Sequence, residues 1–214
     1  MISKLRGKIG FLQNPLAWPF IKLRISPNDI SVIGLILALI GAYFVYEQNW
    51  ILAFIFFLLA PTMDLIDGTV ARALNKRSNW GNYFETMIDK FVDFAMLGSF
   101  IFIYPLASVL ALGFSMLSSY AKPRVALIII TDNRDWPAIG EHADKLLIIL
   151  LVLLCASFDF TTFIEYNIIE IGLYLIALIS GVGTIQRIAY AKKLIKKAEK
   201  EGTLLPYIKN KKER

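Results

Sequence analysis

Long apolar runs separated by short polar connections dominate the sequence. Six runs are long enough to cross a bilayer as helices, since about 20 apolar residues span its hydrocarbon core. They lie near residues 30–48, 50–74, 81–104, 106–130, 144–162 and 167–191. Pro27 and Pro105 interrupt the chain before the first and fourth runs, where a new helix can begin. The pattern therefore predicts an all-α integral membrane protein with six transmembrane helices.

Two basic segments flank this predicted membrane domain of residues 29–191. Residues 1–28 carry five basic groups and no acidic one, interleaved with apolar side chains. This composition predicts an N-terminal interfacial amphipathic helix, interrupted near Pro15 and Pro19, although a solvated basic arm has the same charge. Residues 192–214 are predicted to form a basic cytoplasmic tail, which begins as a helical extension.

Composition and charge agree with a membrane location. Of the 214 residues, 57% are hydrophobic and 19% charged, which excludes an ordinary water-soluble domain. All 23 Lys and Arg residues lie on the side shared by both predicted termini or in a span near that side, and the connections near 47–49, 104–105 and 159–170 contain none. The positive-inside rule therefore predicts a cell-membrane protein with both termini cytoplasmic. Because topology explains the positive charge, we expect no nucleic-acid partner.

Acidic residues inside two of the apolar runs are the main functional signal, because a charge within a bilayer is costly. At about 100° per residue, two acids and two small residues share one face of the second predicted helix. They are Asp64, Asp67, Gly68 and Ala71. A glycine and three acids follow one another at i+4 on the third helix, namely Gly81, Glu85, Asp89 and Asp93. Both stripes lie toward the predicted cytoplasmic ends and are expected to converge.

Clustered carboxylates must protonate, pair with cations or bind metal ions. Oxygen ligands suit Mg²⁺ or Mn²⁺, and two such ions are a common device for displacement at phosphorus. Small residues beside the acids would leave room for a nucleotide, with Arg72 available to contact a phosphate. Two other interpretations remain open, a solvated collar of ion pairs and a divalent-cation transporter.

The same residues resemble the signature of the CDP-alcohol phosphatidyltransferases, D-x2-D-G-x2-A-R-x8-G-x3-D-x3-D. The matching positions are Asp64, Asp67, Gly68, Ala71, Arg72, Gly81, Glu85 and Asp89. Glu85 is the one departure, since the signature has Asp there. Its extra methylene moves the carboxylate by about an ångström, a displacement that can reduce the rate of an enzyme substantially. A catalytically impaired, CDP-lipid-binding member of the family is therefore a further alternative.

The resemblance implies a six-helix membrane enzyme, commonly a homodimer, that transfers a lipid phosphate from a CDP-linked lipid to an alcohol and releases CMP. It also implies roles for the matching residues. Two divalent ions would be held by Asp64, Asp67, Glu85 and Asp89, and Asp89 would also be the catalytic base. The CDP group would be held by Gly68, Ala71, Arg72 and Gly81.

The acceptor alcohol is expected to bind on the predicted cytoplasmic side, beside the acids. Basic residues in the 119–145 segment and the last helix favour a polyol phosphate such as inositol phosphate or glycerol phosphate. The predicted acceptor-binding residues are Arg124, Arg134, His142, Lys145 and Arg187. The segments 140–147 and 184–190 resemble the inositol-phosphate branch of the family. A loop that is basic only because it is cytoplasmic is the alternative.

Overall fold

The computed structural model describes residues 10–131, 136–137, 139–158, 162–163 and 166–206. Seven α-helices account for most of them: α1 (Gly10–Lys22), α2 (Pro27–Tyr46), α3 (Trp50–Ala73), α4 (Asn79–Gly98), α5 (Pro105–Val125), α6 (His142–Ser157) and α7 (Ile168–Glu201). A 3-10 turn, Ser99–Phe102, joins α4 to α5. A two-residue antiparallel pair, β1 (Thr162–Phe163) with β2 (Tyr166–Asn167), precedes α7. The predicted all-helical class is confirmed.

Helices α2 to α7 occupy the six predicted apolar runs. Three of them, α2, α3 and α7, are long and apolar enough to cross a membrane among the described residues. Helix α6 has only 16 residues and ends at Ser157, earlier than the end of the predicted span at residue 162. Helix α4 carries the acidic stripe, which makes it less apolar than a typical membrane-spanning helix. Six membrane crossings therefore stay a prediction. Helix α7 continues past residue 191 to Glu201, so the predicted tail begins inside the same helix.

The N-terminal region contains the helix α1, which packs with Ala17 against the ends of α2 and α3. The predicted interruption near Pro15 and Pro19 is wrong, because α1 runs through both prolines. Each proline removes only one backbone donor, and the neighbouring turn closes normally, with Leu23 N donating to Pro19 O at 3.0 Å. Residues 1–9 lie outside the described residues, and an interfacial position for α1 stays a prediction.

Short polar residues fix the helix starts nearest the acidic stripes. Ser26 is the extended residue before α2, and Pro27 occupies the first turn. Ser78 caps α4, since its Oγ accepts a hydrogen bond from Gly81 N at 2.9 Å. The start of α4 is thus fixed immediately after the short connection from α3, which brings the first turns of α4 near the acidic end of α3.

Glycines allow α2 and α3 to cross closely. A Cβ at Gly34 would lie 3.0 Å from Ala60 O, and one at Gly41 would lie 2.4 Å from the buried Phe57 ring. The close approach places the start of α2 beside the acidic end of α3. A core formed from α2 to α7, with Phe57, Phe100 and Leu153 fully buried, holds this arrangement.

Candidate active site

Three of the predicted metal ligands come together where α3 and α4 meet. Asp64 and Asp67 lie one turn apart on α3, and Glu85 faces them from α4. One carboxylate oxygen from each lies within 4.8 Å of the other two. Three ionised acids this close repel one another unless a cation lies between them, and the geometry fits a divalent cation.

Asp67 gives a second indication of a bound cation. Its side chain is only 2% exposed, and its Oδ2 accepts a hydrogen bond of 2.5 Å from Ser31 Oγ of α2. Its Oδ1 is buried and has no hydrogen-bond partner among the described residues. A buried carboxylate oxygen without a partner is costly, and a metal ion would satisfy it. Oxygen donors of this kind suit Mg²⁺ and Mn²⁺.

Asp89, the fourth predicted ligand and the predicted base, lies one turn beyond Glu85. It lines the same small cavity as the three clustered acids, together with Ser31 and His142. We call this space the acid cavity. Its walls come from α2, α3, α4 and α6, which places the expected general base beside the expected metal ligands.

A larger pocket of about 410 Å³ adjoins the acid cavity and shares Asp67, Glu85 and Ser31 with it. All four residues predicted to bind CDP line this pocket: Gly68, Ala71, Arg72 and Gly81. A Cβ at Gly68 would meet only Arg72 Nη1, at 3.7 Å, so packing within the chain leaves this side of α3 open. Arg72 is oriented by a hydrogen bond of 2.9 Å from its Nη2 to Thr69 Oγ1.

Another pocket, of about 500 Å³, adjoins the acid cavity elsewhere and shares Asp64 and His142 with it. Basic side chains from four helices line it: Lys90, Lys122, Lys145 and Arg187, with His142 beside them. The acid cavity therefore has two neighbouring pockets. We call the pocket lined by Gly68, Gly81 and Arg72 the glycine-containing pocket, and the pocket lined by the basic side chains the cationic pocket.

Asp93 organises the cationic pocket. It is 3% exposed, and its carboxylate contacts His142 Nδ1 at 2.6 Å, Lys145 Nζ at 3.0 Å and Lys90 Nζ at 3.1 Å. Lys145 Nζ also donates to Ser115 Oγ of α5. The acid thus ties α4 to α6, and it contacts three basic groups of the pocket while offsetting one positive charge.

Arg187 of α7 reaches the same pocket from the opposite side. Its Nη1 donates to the backbone oxygen of Ser118 at 2.7 Å and to Ser118 Oγ at 2.6 Å, and its Nε donates to Pro137 O at 3.2 Å. These bonds hold the guanidinium in place between α5 and α7.

Comparison with known proteins assigns this arrangement to a family. Residues 24–183 match the sequence profile of the CDP-alcohol phosphatidyltransferase family. The chain belongs to the CDP-alcohol phosphatidyltransferase family. It is therefore a transferase of phospholipid biosynthesis, as the signature in α3 and α4 predicted.

Several relatives of this transferase are named for inositol phosphate. The archaetidylinositol phosphate synthase of Pyrococcus horikoshii is 30% identical over 199 residues, which cover 90% of this chain and 97% of the relative. The phosphatidylinositol phosphate synthase of Cutibacterium acnes is 27% identical over 169 residues, covering 72% and 77% of the two chains.

A solved relative shares the fold of the transferase. The crystal structure of Mycobacterium tuberculosis phosphatidylinositol phosphate synthase, with CDP-DAG bound, superposes with a TM-score of 0.71. The match covers 85% of this chain and 94% of that one, at 19% sequence identity. The similarity establishes a common helical architecture.

The residues predicted to bind the acceptor are not all in one place in this transferase. His142, Lys145 and Arg187 line the cationic pocket, whereas Arg124 lines a separate apolar groove between α5 and α7. Arg134 lies outside the described residues.

Sequence reasoning missed other contributors to the site. Ser31 supports Asp67 from α2, and its position inside an apolar run is a faint signal that any buried serine would give. Lys76 and Arg77 line the glycine-containing pocket, and Lys90 lines the cationic one. Asp93 was visible as part of the acidic stripe, but two of its three partners, His142 and Lys145, lie on α6, far along the chain.

Proposed function

We propose that the protein transfers a phosphatidyl-type group from a CDP-linked lipid to a hydroxyl of a polyol phosphate, such as inositol phosphate or glycerol phosphate, and releases CMP. One observation carries the proposal. The acid cavity shares Asp67 and Glu85 with the glycine-containing pocket, and Asp64 and His142 with the cationic pocket. Donor and acceptor can therefore bind on separate sides of one set of carboxylates.

The glycine-containing pocket would hold the CDP group. Gly68, Ala71 and Gly81 leave space for the nucleotide against α3 and α4, and the Arg72 guanidinium suits bidentate binding of a phosphate. The lipid tails would remain in the bilayer beside the helices.

Asp64, Asp67, Glu85 and Asp89 would hold two divalent ions, Mg²⁺ or Mn²⁺. When bound, such ions supply positive charge that stabilises the charge developing on the phosphate oxygens. Asp89 would also accept the proton of the acceptor hydroxyl. As the new bond from this oxygen to phosphorus forms, the bond from phosphorus to the CMP oxygen breaks, in line. The products are the lipid phosphodiester and CMP.

The cationic pocket would select a phosphorylated acceptor. His142, Lys145 and Arg187 border it together with Lys90 and Lys122, and an anion would complement this excess of positive charge. The names of the two relatives, both synthases of an inositol phosphate lipid, support a polyol phosphate as the acceptor.

The experiment is CMP release by the purified protein with a CDP-linked lipid, Mg²⁺ or Mn²⁺, and one acceptor at a time from inositol phosphate, glycerol phosphate, inositol and glycerol. We expect CMP only with a phosphorylated acceptor. Asp89→Asn should abolish release, while Glu199→Gln, which removes one exposed acid from α7, should not change it. CDP-lipid binding without turnover would indicate the impaired form. Divalent-cation flux without CMP release would indicate a transporter.

We further propose that the protein is a homodimer embedded in the cell membrane. Both termini and the active site would lie on the cytoplasmic side. This proposal rests on the distribution of basic residues and on the family resemblance. Cross-linking in native membranes, followed by sizing in detergent, tests the dimer.

A further inference from the structure

A groove of about 500 Å³ runs between α5 and α7, separate from the acid cavity and both pockets beside it. Its walls are almost wholly apolar and include Leu117, Tyr120, Ile128, Ile188, Ala191 and Ile195. No acidic side chain lines it in the described part of the chain. It shares no lining residue with the acid cavity or with either pocket beside that cavity. The groove therefore belongs to another surface of the molecule.

Three cations line the groove, and they lie toward one of its ends. Helices α5 and α7 run parallel, because Thr184 Oγ1 contacts Phe114 O and, further along both helices, Arg187 Nη1 contacts Ser118 O. In this register Arg124 of α5 lies level with the turns of α7 that carry Lys192 and Lys196. The groove thus combines an apolar wall with a positive end.

The groove crosses the predicted cytoplasmic end of the last span, near residue 191. Along α7 it extends from Thr184 to Lys196, which at 1.5 Å per residue is about 18 Å. Its part from Thr184 to Ala191 lies within the predicted span, and Lys192 and Lys196 lie beyond it, at the level expected for headgroups. An acyl chain can therefore lie along the apolar wall while its headgroup reaches the three cations.

We propose that this groove binds one anionic phospholipid, with its phosphate between Arg124, Lys192 and Lys196 and an acyl chain along α5 and α7. The proposal rests on three cations and an apolar wall that line the same groove, a combination that the headgroup and acyl chain of one anionic lipid would complement. The charge complementarity selects an anionic headgroup over a zwitterionic one. The site is independent of the proposed activity, since it shares no residue with the acid cavity.

The test is native mass spectrometry of the full-length protein in detergent, incubated with phosphatidylglycerol or with phosphatidylcholine of the same acyl chains. We expect the wild type to retain phosphatidylglycerol and not phosphatidylcholine. Combining Arg124→Gln, Lys192→Gln and Lys196→Gln should reduce retention by at least about tenfold. Ala191→Phe, which fills the groove without changing the charge, should have the same effect.

The matched control combines Lys193→Gln, Lys197→Gln and Lys200→Gln. These exposed residues also lie on α7 but do not line the groove. Their substitution removes three positive charges, as in the groove variant. Retention should stay at the wild-type level. The proposal is overturned if the groove variants retain phosphatidylglycerol normally, because binding then does not depend on the groove. It is also overturned if the control loses the lipid equally, because that result indicates general electrostatic attraction. It is also overturned if the groove variants instead dissociate an oligomer, which would make the groove a contact between copies.

Discussion

At the residue scale, Asp67 is the carboxylate most dependent on its surroundings. It is buried, one oxygen is bonded to Ser31 and the other faces the acid cavity without a hydrogen-bond partner among the described residues. Ser31 thereby fixes the orientation of the carboxylate, as outer residues commonly do for metal ligands.

Ser31→Ala tests this orientation. Loss of the hydroxyl frees the Asp67 carboxylate to rotate, so we expect the apparent affinity for Mg²⁺ or Mn²⁺ to fall by about 10- to 100-fold. The measurement is CMP release titrated with the metal, which should recover at high metal concentration. Ser99→Ala, which removes a hydroxyl that donates to Met96 O at the end of α4, is the control. An unchanged metal titration would contradict the role of Ser31.

Glu85 carries the one departure from the family signature, and the structure shows that its longer side chain already reaches the other acids. Glu85→Asp withdraws the carboxylate by about an ångström. We therefore expect weaker metal binding and no gain in turnover, measured by CMP release at saturating metal. A large rise in rate would show instead that glutamate is a handicap and that the cluster is better formed with aspartate.

At the scale of the elements, the buried contacts of Asp93 join α4 to α6, and Ser115 extends them to α5. Lys145 is 3% exposed and lies in the first turns of α6. Burial removes most of the water around its ammonium group. A substitution that removes only one charge of the Lys145–Asp93 pair therefore leaves the other charge buried without this partner, which is costly. The position of the cationic pocket depends on this link.

Lys145→Met preserves the apolar length of the side chain and removes its charge. We expect a loss of about 3 kcal/mol in the free energy of unfolding, since Asp93 stays buried with fewer partners. Unfolding in detergent, followed by circular dichroism, measures it. Lys197→Met, which breaks the exposed Lys197–Glu201 pair at 3.8 Å, should cost less than about 1 kcal/mol. Equal stability of the two variants would show that Lys90 and His142 suffice.

At the scale of the whole molecule, the number of membrane crossings decides where the site faces. Three helices are apolar enough to span by themselves, and α4 carries the acids that proteins hide from lipid. If all six long helices cross, the connection after α2 and the turn after α4 lie outside the cell, and the connection after α3 lies inside.

Single cysteines test this topology in a Cys155→Ser background. We expect Gln48→Cys and Phe102→Cys to react with a membrane-impermeant maleimide on intact cells, because both face the predicted exterior. Phe102 is 82% exposed, so no part of the protein covers this position. Lys76→Cys should react only after permeabilisation. Labelling of Lys76→Cys on intact cells, or protection of Phe102→Cys, would contradict six crossings.

The sequence by itself determined the helices and the acidic faces, because both follow from local periodicity. Apolar runs placed α2 to α7, and the i+3 and i+4 spacings put Asp64 with Asp67 and Glu85 with Asp89. The family signature supplied the roles, which remain to be tested. The helical extension beyond residue 191 was also predicted, and α7 continues to Glu201; the end of α6 was predicted too late, since that helix stops at Ser157.

Only the tertiary structure decided which groups meet between helices. Ser31 and Asp67 are 36 residues apart, and Asp93 and Lys145 are 52 residues apart. Their contacts depend on how each helix is rotated against its neighbours, which spacing within one helix does not encode. For the same reason Arg124, one turn beyond Tyr120 on α5, lines the apolar groove and not the cationic pocket. The periodicity of the sequence predicts which residues share a face of one helix. The packing of the helices determines which residues of other helices that face contacts.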